Sequence, residues 1–168
     1  MANKYMTLVN GKKTLIKSTD VSADVADAGE IVALNSAGVI DPSMLPDQDV
    51  TNVSSFENLS AGDYVNLFDD GGTVKARKAD NSNGRDAHGY VKDTVVAPAV
   101  VNVYFEGANT NLSGLTEGAK IYLGVTGDVI ETPLDPNLLA NDGKIHQFLG
   151  IAISDTEVNT DIADCILL

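Results

Sequence analysis

The chain contains few side chains suited to acid–base or nucleophilic chemistry. His88 and His146 are the only histidines, and neither is followed within two to four residues by a second metal ligand, as a zinc site would require. Cys165 is the only cysteine, which excludes an internal disulfide framework and a cysteine-rich zinc site. We expect His88 to begin a strand, His146 to lie on the polar face of a strand, and Cys165 to be a small buried residue.

Carboxylates are numerous, but their spacing does not define a site. With 24 Asp and Glu residues, a pair at the separation used by glycosidases arises by chance in any fold. Asp69–Gly72 and Asn141–Gly143 resemble fragments of calcium loops but lack the alternating acidic positions and the closing glutamate. We therefore predict hairpin turns at both places, no catalytic residues and no cofactor, and leave open a structural cation between acidic subunits.

Charge is distributed unevenly along the 168 residues. Residues 1–19 hold four lysines and no acid, whereas residues 20–168 hold 7 basic and all 24 acidic residues, a net charge of −17. So acidic a chain is not expected to bind nucleic acid or anionic lipid. The basic N-terminal arm has an electrostatic reason to bind an acidic surface, on its own body, a neighbouring copy or another protein. An ordinary solvated hairpin face is the alternative.

Alternating apolar and polar residues predict β-structure almost throughout. Lys4–Val9 and Lys12–Lys17 flank Asn10-Gly11, the strongest short signal for a hairpin turn. From residue 50 onward, about nine short apolar segments separated by turn residues indicate a small β-sandwich or barrel. We predict an N-terminal hairpin, arm and linker over residues 1–49 and a β-body over residues 50–168.

A glycine-led pattern occurs three times, beginning at Gly29, Gly62 and Gly118. Each copy has an apolar residue three positions later, leucine five positions later and glycine nine positions later. The third and fifth positions share one face of a strand, and the later glycine supplies a turn. Each copy thus predicts a hairpin with one buried face. The second and third copies are each followed by another glycine-led strand and a long apolar strand, which suggests duplication, with convergence on hairpin rules as the alternative.

The segment between arm and body carries two prolines, Pro42 and Pro46, four positions apart. Proline lacks an amide hydrogen and holds the preceding residue in an extended conformation. This predicts a stiff linker that presents Met44 and Leu45 to a neighbouring molecule, since exposed apolar side chains favour burial.

Several of these segments carry a family resemblance. Met1–Gly11 resembles the start of bacteriophage virion proteins encoded near the major capsid protein. Ala28–Pro46 is similar to a segment, G-x-I-x-A-L-x-x-x-G-x-I-D-x-S-x-L-P, found in phage head decoration proteins and in head and tail fibres. Leu59–Leu67, Ala87–Val91 and Gly118–Leu123 resemble the small β-domains of such proteins.

The resemblance implies a non-enzymatic structural protein of the phage virion, made in the host cytoplasm and often trimeric. The first hypothesis is a capsid decoration, or cement, protein on the capsid surface, whose partners are the major capsid protein and its own copies in a homotrimer. The alternative is a head- or tail-fibre module that binds a host-surface receptor. The residues expected to make the interactions are Lys4, Lys12, Lys13, Lys17, Ile40, Pro42, Met44, Leu45 and Pro46.

Overall fold

The computed structural model divides the chain into two compact units, Met1–Asp47 and Gln48–Leu168. Among the described residues there is no α-helix, only strands and one 3-10 turn at Leu139–Asn141. The predicted all-β class is therefore confirmed. The structure describes residues 4–10, 12–18, 32–34, 38–40 and 50–168.

The described part of the first unit contains a two-stranded antiparallel ribbon. Strand β1 (Lys4–Val9) pairs with β2 (Lys12–Lys17), and Met6 lies opposite Leu15 in the register. Asn10 has a φ of 51°, the left-handed conformation that a tight hairpin turn requires. The predicted N-terminal hairpin is confirmed.

The second unit begins with a closed five-stranded barrel. Its antiparallel neighbours are joined by one parallel contact, in which Ser54 lies opposite Lys75. Alternation along the strands points one set of side chains inward, where Val65, Val91 and Val103 are fully buried. The strands are β3 (Val50–Ser55), β4 (Tyr64–Asp69), β5 (Val74–Lys78), β6 (Gly89–Val91) and β7 (Val100–Tyr104).

An open five-stranded sheet follows, in the spatial order β10-β9-β12-β13-β8. A further short pair, β11 with β14, lies outside it. Residues 50–168 thus hold twelve strands, β3 to β14, rather than about nine, because several are only two or three residues long. The bounds are β8 (Gly107–Asn109), β9 (Lys120–Leu123), β10 (Val129–Ile130), β11 (Ile145–His146), β12 (Phe148–Ala152), β13 (Val158–Thr160) and β14 (Ile166–Leu167).

The open sheet repeats the topology of the barrel. The neighbours β3-β7-β6-β4-β5 correspond one by one to β8-β13-β12-β9-β10, and each corresponding pair is antiparallel. The registers also agree, since Val65 lies opposite Gly89 and Ile121 lies opposite Gly150. The copies differ at one place: β3 pairs with β5 and closes the barrel, whereas β8 and β10 do not pair.

At both glycines of this register, Gly89 and Gly150, a side chain would collide with a backbone carbonyl oxygen of the neighbouring strand. A Cβ atom on Gly89 would lie 2.6 Å from the carbonyl oxygen of Tyr104, and one on Gly150 would lie 2.2 Å from that of Asn159. Tyr104 and Asn159 occupy corresponding positions on β7 and β13. A shared close approach of two backbones is more specific than hairpin rules alone, so the structure favours duplication over convergence.

The two copies share a hydrophobic core. Tyr64 and Tyr90 alternate with inward-facing valines, so they lie on the outside of the barrel, yet both are fully buried. They belong to one cluster with Ile121, Leu149 and Val158 of the second copy. Aromatic burial of this kind contributes a large part of core stability.

The hydroxyl groups of the two tyrosines also bond to the second copy. Tyr90 donates to the carbonyl oxygen of Ala108 at 2.9 Å, and Tyr64 shares a hydrogen bond of 3.2 Å with Thr160. Each buried hydroxyl therefore has a partner, as the cost of burying a polar group requires.

We predict that alkaline pH weakens this shared core. Burial raises the pKa of Tyr90 from 10.0 to about 12. Because the folded pKa lies above the unfolded one, its contribution is complete below the unfolded pKa and is lost as the pH rises toward the folded pKa. Urea unfolding at a series of alkaline pH values should show a steeper loss of stability in wild type than in Tyr90→Phe. Identical losses would contradict the prediction.

Candidate functional site

A groove of about 1170 Å³ lies between the two copies of the second unit. One wall comes from the barrel copy, at Asp86–His88 and, just after the end of β7, at Phe105 and Glu106, and the other from Gly107 and Asn159–Cys165 of the second copy. Sites between domains of a protein are common places for binding. We therefore take this groove as the candidate site.

The floor of the groove is fixed by Gln147, which is 3% exposed. Its Nε2 donates to the carbonyl oxygens of Ala87 at 2.9 Å and Ala163 at 3.0 Å, and its Oε1 accepts from the amide of Ala87 at 2.7 Å. One side chain thus ties the two walls together. The sequence carried a signal for this, because Gln147 alternates with Ile145 and Leu149 on the buried face of the segment.

His88 precedes β6, as expected of a residue that begins a strand. Its Nδ1 accepts the amide hydrogen of Leu67 at 2.9 Å, so the ring proton is on Nε2, which lies 3.3 Å from Oδ2 of Asp86. The bond to the Leu67 amide fixes the imidazole in the wall of the groove, with Nε2 facing Asp86.

Asp86 is in turn held by Asn66. Its Oδ1 accepts from Nδ2 of Asn66 at 3.0 Å, and the backbone carbonyl of Asp86 accepts from the same nitrogen at 2.9 Å. Asn66 is 4% exposed. This wall is therefore preorganised by hydrogen bonds from a buried side chain on the outer face of the barrel.

The prediction that Cys165 is buried is wrong. Cys165 is exposed and lines the groove. The reason is that Asp161–Cys165 lies between β13 and β14 and belongs to neither strand. The amides of Asp161 and Ala163 still donate to the carbonyl oxygens of Leu149 and Phe148 of β12, but Cys165 lies beyond these bonds, at the groove. An apolar sequence context therefore did not place this segment in the core.

His146 lies in β11 and is half-buried rather than on a solvated polar face. Its ring centroid lies 4.8 Å from that of Tyr122, and its Nδ1 is buried and makes no hydrogen bond within the structure described. The aromatic contact explains the position, since flat rings pack well against each other.

The two predicted turns have different outcomes. Asp69–Gly72 is a turn between β4 and β5, in which Oδ1 of Asp69 accepts from the amide of Gly72 at 2.8 Å. Asn141–Gly143 instead follows the 3-10 turn and leads to β11, so the predicted hairpin there is wrong. In the residues that the structure describes, no three His, Cys, Asp or Glu side chains come together to hold a metal ion.

The predicted interaction residues are only partly described. Lys12, Lys13 and Ile40 are exposed, while Lys4 and Lys17 are paired in the ribbon register. Pro42, Met44, Leu45 and Pro46 lie outside the described residues. The interaction role of the whole set stays a prediction.

No protein-family model matches the chain, and no curated protein is significantly similar to it. Among the described residues, no helix is long and apolar enough to cross a membrane.

We predict that Gln147→Leu loosens the groove. The substitution leaves the amide and carbonyl of Ala87 without these partners, so the free energy of unfolding should fall by about 3 kcal/mol. Hydrogen exchange should increase at Ala87 and around Ala163. Asn137→Leu, at an exposed position, serves as the control for a polar-to-apolar change. Equal stability of Gln147→Leu and wild type would refute this role.

Proposed function

We propose that the chain is a non-enzymatic structural protein of a phage virion, which binds the outside of the capsid and cements neighbouring capsomers as a homotrimer. The observation that carries the proposal is the division of charge between an exposed lysine-bearing ribbon and an acidic β-body. A cement protein acts through surface contacts, and these features provide them.

The charge surplus of the body supports this proposal. Residues 50–168 contain 7 basic and 17 acidic residues, a net charge of −10. Three of the basic side chains are in ion pairs inside the body, Lys75 with Asp70, Lys78 with Asp63 and Arg85 with Glu57. Among the described residues, most carboxylates of the body therefore make no ion pair with Lys or Arg, while the lysines of the ribbon lie in a segment, residues 1–19, that contains no acidic residue.

The build of the body also suits a clamp. Two copies of one topology share a single core through Tyr64 and Tyr90, and Gln147 crosslinks the groove by hydrogen bonds. A body of this kind transmits force between contacts without rearrangement, because packed cores deform little. Many weak contacts on one lattice then become strong through effective concentration.

The alternative, a fibre module that binds a host-surface receptor, receives support from the groove, whose volume of about 1170 Å³ lies just above the range of about 300–1,000 Å³ typical of small-ligand sites. Glycan sites, however, commonly use exposed aromatic platforms, the chain has no Trp, and Tyr64 and Tyr90 are buried. We therefore favour the cement role.

Cryo-electron microscopy of virions of the phage that encodes the chain tests the location. We expect density for the β-body on the outer face of the capsid, between capsomers. Density confined to the tail or to fibres would contradict the cement role and favour the alternative. A glycan array with clear hits would do the same.

Capsid binding by charge-reversal variants tests the contribution of the ribbon. Lys12→Glu/Lys13→Glu should weaken binding to undecorated capsids by roughly tenfold or more, because two exposed attractions become repulsions. Lys92→Glu/Lys120→Glu changes the body by the same charge at exposed positions and is the matched control. Equal binding by both variants would contradict a specific role of the ribbon.

A further inference from the structure

We propose that the lysine-bearing ribbon of one copy docks in the acidic groove of a second copy of the same chain. This inference rests on the proposed function, because a ribbon held in the groove of its own chain would link no two molecules. It goes further by naming the partner surface and the residues on both sides.

The ribbon presents both apolar and basic side chains. Met6 and Leu15 lie opposite each other and are 63% and 62% exposed. Lys13, two positions from Leu15 and therefore on the same face, is exposed as well. A two-stranded ribbon is marginally stable by itself, so burial of this face against another molecule would stabilise it.

The groove has the opposite charge. Its lining contains the carboxylates of Asp86, Glu106, Asp161 and Asp164 and contains neither Lys nor Arg. In the part of the chain that the structure describes, none of these four makes an ion pair with Lys or Arg, and Asp86 lies 3.3 Å from Nε2 of the neutral His88. Glu106, Asp161 and Asp164 are exposed and available for a lysine.

Apolar side chains in the same groove match those of the ribbon. Leu67, Phe105 and Ile162 are partly buried hydrophobic residues in its lining. They offer contacts for Met6 and Leu15, whereas the carboxylates lie beside them for the lysines. Since Gln147 and His88 hold the walls by hydrogen bonds, the groove is already formed and docking does not require it to reorganise.

Docking between copies also follows from the charge of the body. Two bodies of net charge −10 repel each other. The ribbon is the cationic part of the chain that can bridge them, and it is joined to its own body by residues 19–49, long enough to reach a neighbour.

Zero-length cross-linking of an equal mixture of unlabelled and nitrogen-15-labelled chains tests the proposal. A carbodiimide joins a lysine amine to a carboxylate in contact with it. We expect cross-linked peptides between Lys13, on the docked face, and Asp161 or Asp164, of which about half combine one light and one heavy chain. Asp161→Asn/Asp164→Asn should abolish them, whereas Asp93→Asn/Asp142→Asn, at exposed positions outside the groove, should leave them unchanged.

Two outcomes would overturn the inference. If every cross-linked pair of peptides were either wholly light or wholly heavy, the ribbon would lie in the groove of its own chain. If no cross-link formed between ribbon and groove, the ribbon would bind elsewhere. If either result were obtained with a protein that binds capsids, the inference would fail while the proposed function stood. Pairs of one light and one heavy peptide, in a protein that does not bind capsids, would support docking of the ribbon in a second copy of the chain and refute the cement role.

Discussion

The structure of the second unit depends on the burial of two tyrosines on the outside of a barrel. Tyr64 and Tyr90 point away from the barrel interior, so the barrel by itself would leave them in water. The open sheet of the second copy covers them and provides partners for both hydroxyl groups. The apolar outer face of the barrel is therefore buried by the open sheet of the second copy, and the groove lies where the barrel and this sheet meet.

The same arrangement accounts for the chemistry of the groove. Its acidic side chains lie in segments that flank the strands, at Asp86, Glu106, Asp161 and Asp164, while the hydrogen bonds of Gln147 and His88 fix the positions of the walls. Because the groove is lined by four carboxylates and contains no Lys or Arg, its chemistry suits recognition of a cationic surface. This agrees with the proposed role as a structural protein that binds through its surface.

The sequence predicted the features that depend on local rules. Asn10 predicted the hairpin turn of the ribbon, and the spacing from Gly62 and Gly118 predicted the two later hairpins. Both predictions were possible because turns, and the alternation of side chains along a strand, depend on residues close together in sequence. Barrel closure could not be predicted, because the parallel pairing of Ser54 with Lys75 has no turn between the strands as a signal. The exposure of Cys165 likewise depends on contacts between distant segments, and so do the hydrogen-bond partners of Gln147, although its place on the buried face follows from the alternation with Ile145 and Leu149.

The central claim is that the chain functions by charge-dependent association with its own copies and a capsid. Light scattering of the purified chain, at about 0.05 M and about 1 M salt, tests it directly because salt screens exposed charges. The account predicts a molar mass that is a multiple of 17.6 kDa at low salt and falls toward 17.6 kDa at high salt. A mass of 17.6 kDa under both conditions would contradict it.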